Sequence, residues 1–377
     1  MRWETVPLGE VAAIHMGQAP LGESYNDRGE GLGLIAGPGD FSNGGLKVKK
    51  FTTSPTKRTR PGDLVVGVRA SIGDLATADG EYCLGRGVAA VRPNEKLDSG
   101  YARQVLRWLA PELASRGRGA TFRTVTRLDI ETLPIPLPPL PEQRRIAAIL
   151  DEAAALRSTW GETRESARRA ISSRISALLS KSTDIKPLAQ LLAEPMRNGI
   201  SPSRGGRYEG EVLTLSAITR GAFDPRQRKS DLFAAPHASD KLATEGLHLV
   251  CRGNGNAELV GAMVAVTDQP DGVAFPDTMI GFRPSSEINS PTLVAAWRHP
   301  TVRDQLRRAA RTTNGTYKVN QQSLSSIMVP VPRREDQEQI AALDAERTKL
   351  DSQLAQGLVS LDELFASLQH RAFRGEL

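Results

Sequence analysis

Cysteine is almost absent from this chain of 377 residues: Cys83 and Cys251 are the two, too distant along the sequence to read as a disulfide framework. A reducing, cytoplasmic location is therefore the default expectation. Long apolar runs are missing as well. No stretch approaches the ~18 residues needed to span a bilayer, and Met1-Arg2-Trp3-Glu4 opens no secretion signal, so no membrane partner is expected. The dipeptide Gly-Lys never occurs, which excludes a GxxxxGK(S/T) phosphate loop. Gly29-Glu30-Gly31-Leu32-Gly33 has the wrong spacing for a dinucleotide fingerprint and reads as a turn. There is no DPPY or NPPY methyltransferase motif. The acid-x-Lys sequence Asp184-Ile185-Lys186 has no Pro-Asp upstream to complete a nuclease site. The histidines His15, His237, His248, His299 and His370 are too scattered for a zinc site. These absences point to a binding protein with no catalytic residue, metal or cofactor of its own.

What is present is an ordinary globular composition, 39% hydrophobic and 24% charged, with 34 glycines and 24 prolines. That length accommodates two or three domains. The net charge of +6 becomes informative only when divided along the chain. Residues 1–141 hold 18 basic and 15 acidic residues, 142–186 hold 9 and 6, 187–333 hold 17 and 13, and 334–377 hold 5 and 9. The cations cluster: Lys47, Lys49, Lys50, Lys57, Arg58 and Arg60 stand together without an acid between them. Six arginines from Arg103 to Arg127 face only Glu112, and Arg298, Arg303, Arg307, Arg308, Arg311 and Lys318 form a further run opposed by Asp304 alone. Clusters of this kind suit a phosphate backbone, where each neutralised phosphate releases counterions.

The chain also repeats itself. At a constant offset of 194, Ile130 matches Leu324, Leu133 matches Ile327, Ile135 matches Val329, Pro136 matches Pro330 and Pro138 matches Pro332. Gln143 then matches Gln337, and Ile146-Ala147-Ala148 matches Ile340-Ala341-Ala342. Upstream, Arg92-Pro93 echoes Arg283-Pro284, and Pro7-Leu8 echoes Pro187-Leu188. Short β-like runs such as Leu64-Val65-Val66, frequent Gly and Pro turns, and one helical stretch near 99–114 and again near 291–311 predict two α+β domains.

After each Pro-rich junction the apolar residues take 3-4 spacing over roughly 35–40 residues, about 55–60 Å of helix. Ile146, Ile149, Leu156 and Trp160 mark the seam of the first helix. Ile340, Leu343, Leu350, Leu354, Leu361, Leu364 and Leu368 mark the second. Their opposite net charges favour pairing, and a domain–helix–domain–helix chain places them antiparallel, as a spacer between two heads.

Two variable α+β domains, each followed by such a junction and helix, resemble the specificity (S) subunit of type I restriction–modification enzymes. The resemblance is carried by Ile135-Pro136-Leu137-Pro138-Pro139-Leu140-Pro141-Glu142-Gln143-Arg144-Arg145-Ile146 and by the terminal Arg371-Ala372-Phe373-Arg374-Gly375-Glu376-Leu377. Trp3 with Val6-Pro7-Leu8-Gly9-Glu10-Val11 matches that family's usual start. The second junction departs from the pattern, with Arg333-Arg334-Glu335-Asp336 in place of Pro-Leu-Pro-Glu.

The resemblance implies target recognition domains at 1–141 and 187–333, with spacer helices at 142–186 and 334–377 in a pseudo-twofold repeat. It implies recognition of a bipartite, asymmetric site in double-stranded DNA. Two methyltransferase (M) subunits and restriction (R) subunits would be the partners, holding S-adenosylmethionine, ATP and Mg. For phosphate contacts the candidates are Lys47, Lys49, Lys50, Arg58, Arg60, Arg204, Arg207, Arg308, Arg311 and Lys318. For base edges they are Arg69, Arg123, Asn254, Asn256 and Asn320, chosen for their bidentate capacity. The competing readings are a coiled-coil scaffold with incidental basic patches, and a self-sufficient nuclease or methyltransferase, which the missing motifs disfavour.

Overall fold

The structure, a computed structural model, describes residues 3–42, 44–119, 123–313 and 316–377, and for 311–313 the backbone alone. The chain divides into two compact units, Met1–Glu162 with Ala355–Leu377, and Thr163–Leu354. This division cuts both long helices near their middles, whereas the boundaries drawn from sequence fall at their ends.

In the first unit a four-stranded antiparallel sheet runs in the order Ala12–Met16, Val88–Pro93, Leu64–Gly67, Leu75–Thr77. Every residue of Leu64–Gly67 is buried, as a continuous run of small and β-branched residues in a central strand requires. A second sheet is built from Cys83–Leu84, Leu32–Ile35, Lys50–Thr52 and Tyr25–Asn26, its one parallel pair joining Cys83 to Leu34. Asp63, 2% exposed, receives both Nε and Nη2 of Arg92 at 2.8 and 2.7 Å, which pins the end of the central strand pair. The helix Ser99–Trp108 covers the first sheet. The Oη of Tyr101, a fully buried residue on that helix, donates to the Pro136 carbonyl at 2.8 Å.

The second unit repeats the plan. Arg197–Asn198, Met279–Phe282, His248–Cys251 and Met263–Ala265 lie in the same sheet order, again all antiparallel. The helices Ser290–Arg298 and Pro300–Ala309 take the places of Ser99–Trp108 and Ala110–Ser115. Gly73 and Gly261 sit at equivalent turns with φ of +92° and +72°. A β-carbon on Gly73 would strike Ala110, and one on Gly261 would press on Leu306. Even the capping boxes correspond: Thr126 with Asp129 opens Arg127–Glu131, and Asn320 with Ser323 opens Gln321–Ser325.

The repeated glutamine has a physical role. Gln143, 1% exposed, donates from Nε2 to the Lys96 and Pro138 carbonyls and accepts the Asp98 N–H at Oε1. Gln337 donates to the Glu287 and Pro332 carbonyls and accepts the Asn289 N–H. Each glutamine therefore satisfies the backbone of its own Pro-rich junction and of the turn before the covering helix. The junction strands pair with the starts of their own units, Thr5 with Pro136 and Ile185 with Pro330.

The two long helices, Leu140–Ser180 and Arg334–Arg374, are 41 residues each. Within the first unit they run antiparallel: Arg145 reaches the Leu377 carbonyl, Arg157 reaches Asp362 and lies over the Phe365 ring, and Trp160 stands against Gly357. Within the second unit Arg168 meets Asp351 at 2.6 Å, and Ile171, Ile175 and Leu179 share a core with Ile340 and Leu343.

The expected seam on the first helix needs correction by one residue. Ile146 is buried and Ile149 half-buried, but Leu156 is 56% exposed. The inward frame passes through Leu150, Arg157, Arg164, Arg168, Ile171 and Ile175. Charged residues occupy its middle, so an apolar count slips onto Leu156, while Trp160 keeps its contact with Gly357 across the pair. On the second helix Ile340, Leu343 and Leu354 are buried, and Leu350, Leu361 and Leu368 are half-buried. Leu364 is 53% exposed, and Phe365 takes its place.

Candidate nucleic-acid interface

Salt bridges separate the cations that shape the fold from those that face outward without a counter-charge. Arg116 pairs with Glu112, Arg118 with Asp129, Arg127 with Glu131, Arg226 with Asp224 and Lys229 with Asp231. Arg307 donates to Glu258 at 3.0 Å, which holds that carboxyl below its usual range. Arg298 donates to the Gly221 carbonyl, and partial desolvation lowers its pKa.

The phosphate candidates behave differently. Lys47, Lys49, Lys50, Arg60, Arg204, Arg207, Arg308 and Lys318 are exposed, and among the described residues none of them forms an ion pair. Arg58 is the exception, at 3.4 Å from Glu81. The Arg311 side chain lies outside the described residues, its backbone forming the strand Arg311–Thr313. In the first unit Lys47, Lys49 and Lys50 lead into one short strand, with Arg58 and Arg60 on the next segment. In the second unit Arg204 and Arg207 precede the hairpin Tyr208–Leu213/Arg228–Phe233, while Lys318 ends Thr316–Lys318.

The base-edge candidates carry structural duties. Arg123 donates to the carbonyls of Gly117 and Ser115, both at 3.1 Å, and so closes its own loop. Arg69 bridges Thr124 through its backbone at the repeat-equivalent of the Gly253–Lys318 pair. Asn254 accepts from the Asn256 N–H, Asn256 from the Glu258 N–H, and Asn320 from the Ser323 N–H. Each of these asparagines has a local reason to be one.

Two neighbouring cavities in the second unit contain residues not singled out from sequence. A groove of about 530 Å³ is lined by Arg252, Lys318, Asn320, Gln322 and the hydroxyls of Ser323 and Ser326. A smaller one of about 230 Å³ shares Arg252 and Lys318 and adds Asp277, Thr278 and Thr316. Arg252 escaped notice because it stands alone between Cys251 and Gly253, outside any run of charge. The available signal was positional: it directly follows a buried strand and precedes a Gly-Asn-Gly-Asn turn. Among the described residues there is no cluster of three or more metal-ligating side chains, and no helix is long and apolar enough to cross a membrane.

The family described as type I restriction modification DNA specificity domain matches residues 1–159. A protein of Methanocaldococcus jannaschii named as the type I restriction enzyme MjaX specificity subunit is 36% identical over 175 residues. That match covers 45% of this chain and 41% of the relative. The EcoKI specificity subunit of Escherichia coli K12 is 22% identical over 88% of this chain and 78% of its own length. This chain is similar to type I restriction–modification specificity subunits, through the family match over residues 1–159 and the EcoKI relative over most of its length.

Solved structures agree in fold. The S subunit of M. genitalium superposes with a TM-score of 0.55 at 16% identity, covering 99% of this chain and 96% of that one. A chain from a structure of type I system assembly and conformational transition gives a TM-score of 0.65 at 18% identity, covering 100% and 98%. Specificity subunits are the non-catalytic members of their enzymes. The duplicated α+β plan is the scaffold on which this chain places exposed cations that have no ion pair among the described residues.

Proposed function

We propose that this chain selects the DNA sequence on which a type I restriction–modification complex acts. Residues 1–141 and 187–333 serve as two target recognition domains, each reading one half of a bipartite, asymmetric site. Residues 142–186 and 334–377 serve as spacers that set the distance between the half-sites and dock two methyltransferase subunits, with restriction subunits joining the assembly. S-adenosylmethionine, ATP and Mg belong to those partners, and the whole works in the cytoplasm. Lys47, Lys49, Lys50, Arg60, Arg204, Arg207, Arg308 and Lys318 supply phosphate contacts, with Arg58 and Arg311 beside them. Arg69, Arg123, Asn254, Asn256 and Asn320 remain proposed base contacts.

The observation that carries the reading is the duplication of one fold plan, with exposed cations on both copies that have no ion pair among the described residues. Unpaired surface cations gain little within a folded chain, and they gain affinity when a polyanion displaces its counterions onto bulk solvent. The deciding experiment is to sequence adenine methylation in cells that carry this chain with its methyltransferase partner. A single bipartite motif that disappears when the chain is deleted supports the reading. Methylation without any bipartite motif overturns it.

A further inference from the structure

Two cavities that share their cations raise the question of what ligand would need both. The larger groove beside Arg252 and Lys318 is lined by amides and hydroxyls and has no carboxylate. The smaller one places Asp277 with the same two cations. A surface that bound phosphate alone would gain nothing from an acid there. A guanine edge offers two acceptors, N7 and O6, and its cytosine partner offers a donor, N4–H. An arginine and an aspartate lining one cavity are complementary to that pair of edges.

The backbone has been shaped to bring these groups together. Gly253 pairs with Lys318 across the short antiparallel ladder, and the Val319 N–H donates to the Arg252 carbonyl at 2.9 Å. A β-carbon at Gly253 would lie 3.2 Å from Lys318 Cγ, so the absence of a side chain lets the lysine stem lie across the strand. The Arg252 guanidinium is tethered by one hydrogen bond from Nη1 to the Asp277 carbonyl at 3.1 Å. Among the described residues neither Arg252 nor Lys318 has an ion pair. A guanidinium oriented by a single main-chain acceptor keeps its remaining donors for a ligand.

Resting on the proposed function, we infer that Arg252 and Asp277 read one G·C base pair in the half-site of the second recognition segment, with Lys318 holding an adjacent phosphate. The first unit cannot repeat this chemistry, because Val68 and Thr124 occupy the positions equivalent to Arg252 and Lys318 in the same backbone ladder. The G·C pair belongs to one half-site alone.

The test uses the complete complex in cells, read by methylation sequencing, together with selection from a random-sequence DNA duplex library. Arg252→Ala should relax one G·C position and weaken binding to the preferred sequence roughly 10- to 100-fold. Asp277→Asn, nearly isosteric, should relax the same position. Lys318→Ala should weaken all sequences alike and lower the salt slope by about one. The other half-site, unchanged in every variant, reports that the chain remains folded. If Arg252→Ala and Asp277→Asn leave every motif position intact, the inference is overturned. A wild-type complex with no bipartite motif would instead remove the proposed function on which the inference rests.

Discussion

The Gln143 carboxamide oxygen accepts the Asp98 N–H at 2.8 Å, and the Asp98 carboxylate in turn accepts the Tyr101 N–H at 3.0 Å. One side chain on a long helix thus fixes the residue that caps the helix covering the sheet. Replacing Gln143 by Leu would leave that N–H and the Lys96 and Pro138 carbonyls without their partner in a buried site. The expected loss is about 3 kcal/mol, by the cost of leaving buried groups unsatisfied, and denaturant titration of the full chain measures it.

His248 gives the second unit a pH-dependent stability. It is fully buried, donates from Nδ1 to the Gly246 carbonyl at 3.2 Å, accepts the Ser290 hydroxyl at Nε2 at 3.0 Å, and stacks on Phe282. Burial pushes its pKa from 6.5 down to about 4. The folded form therefore resists a proton that the unfolded form accepts. Above pH 6.5 the group has no effect, and below it stability falls, by about 3 kcal/mol on reaching pH 4. A urea midpoint that stays flat from pH 7 to pH 5 would contradict this.

Asp351 sits at the charged centre of its helix pair. Burial works to raise its pKa, but the hydrogen bond from Arg168, with Arg164 and Arg347 nearby, brings it below the usual range. Asp351→Ala would remove the acid shared by Arg168 and Arg164, while Arg347 keeps Asp344, and destabilise the unit by about 1 kcal/mol because Arg168 stays partly exposed. The carboxylate's contribution is present above its ordinary pKa and is lost as pH falls through the depressed value. Melting curves of wild type and variant across acidic pH would compare the two.

Arg58 and Lys50 offer a contrast within one basic run. Arg58 faces Glu81, whereas Lys50 has no ion pair among the described residues. Lys50→Ala should lower the salt slope of DNA binding by about one, and Arg58→Ala by less. Binding isotherms across a salt series would reject this if both variants matched wild type.

Much of this architecture was legible because the chain states it twice. The Pro-rich junctions, their glutamines and the capping boxes keep a strict offset, and the sheet order repeats while its spacing drifts with loop length. The helix seam was harder to read. Arg157, Arg164 and Arg168 use their charges inward, on Asp362 and Asp351, so hydrophobicity alone pointed one residue away. Asn320, a proposed base contact, also caps its helix through Oδ1 as Thr126 does in the first copy. Arg252 was invisible to charge counting, since its role depends on Lys318 and Asp277, which reach it through the fold.

The duplicated junction strands also set a hazard during folding. Pro7-Leu8 and Pro187-Leu188 open two segments that dock on two similar edges, Pro134–Pro136 and Met328–Pro330. Ile185–Pro187 lies much nearer in sequence to the first edge than to its own, a roughly threefold shorter loop whose closure is easier by about 1 kcal/mol. A newly made chain meets the wrong edge before the right one has been synthesised. Early pairing of Thr5–Pro7 with Pro134–Pro136 occupies that edge, so the order of synthesis protects the second half from the first.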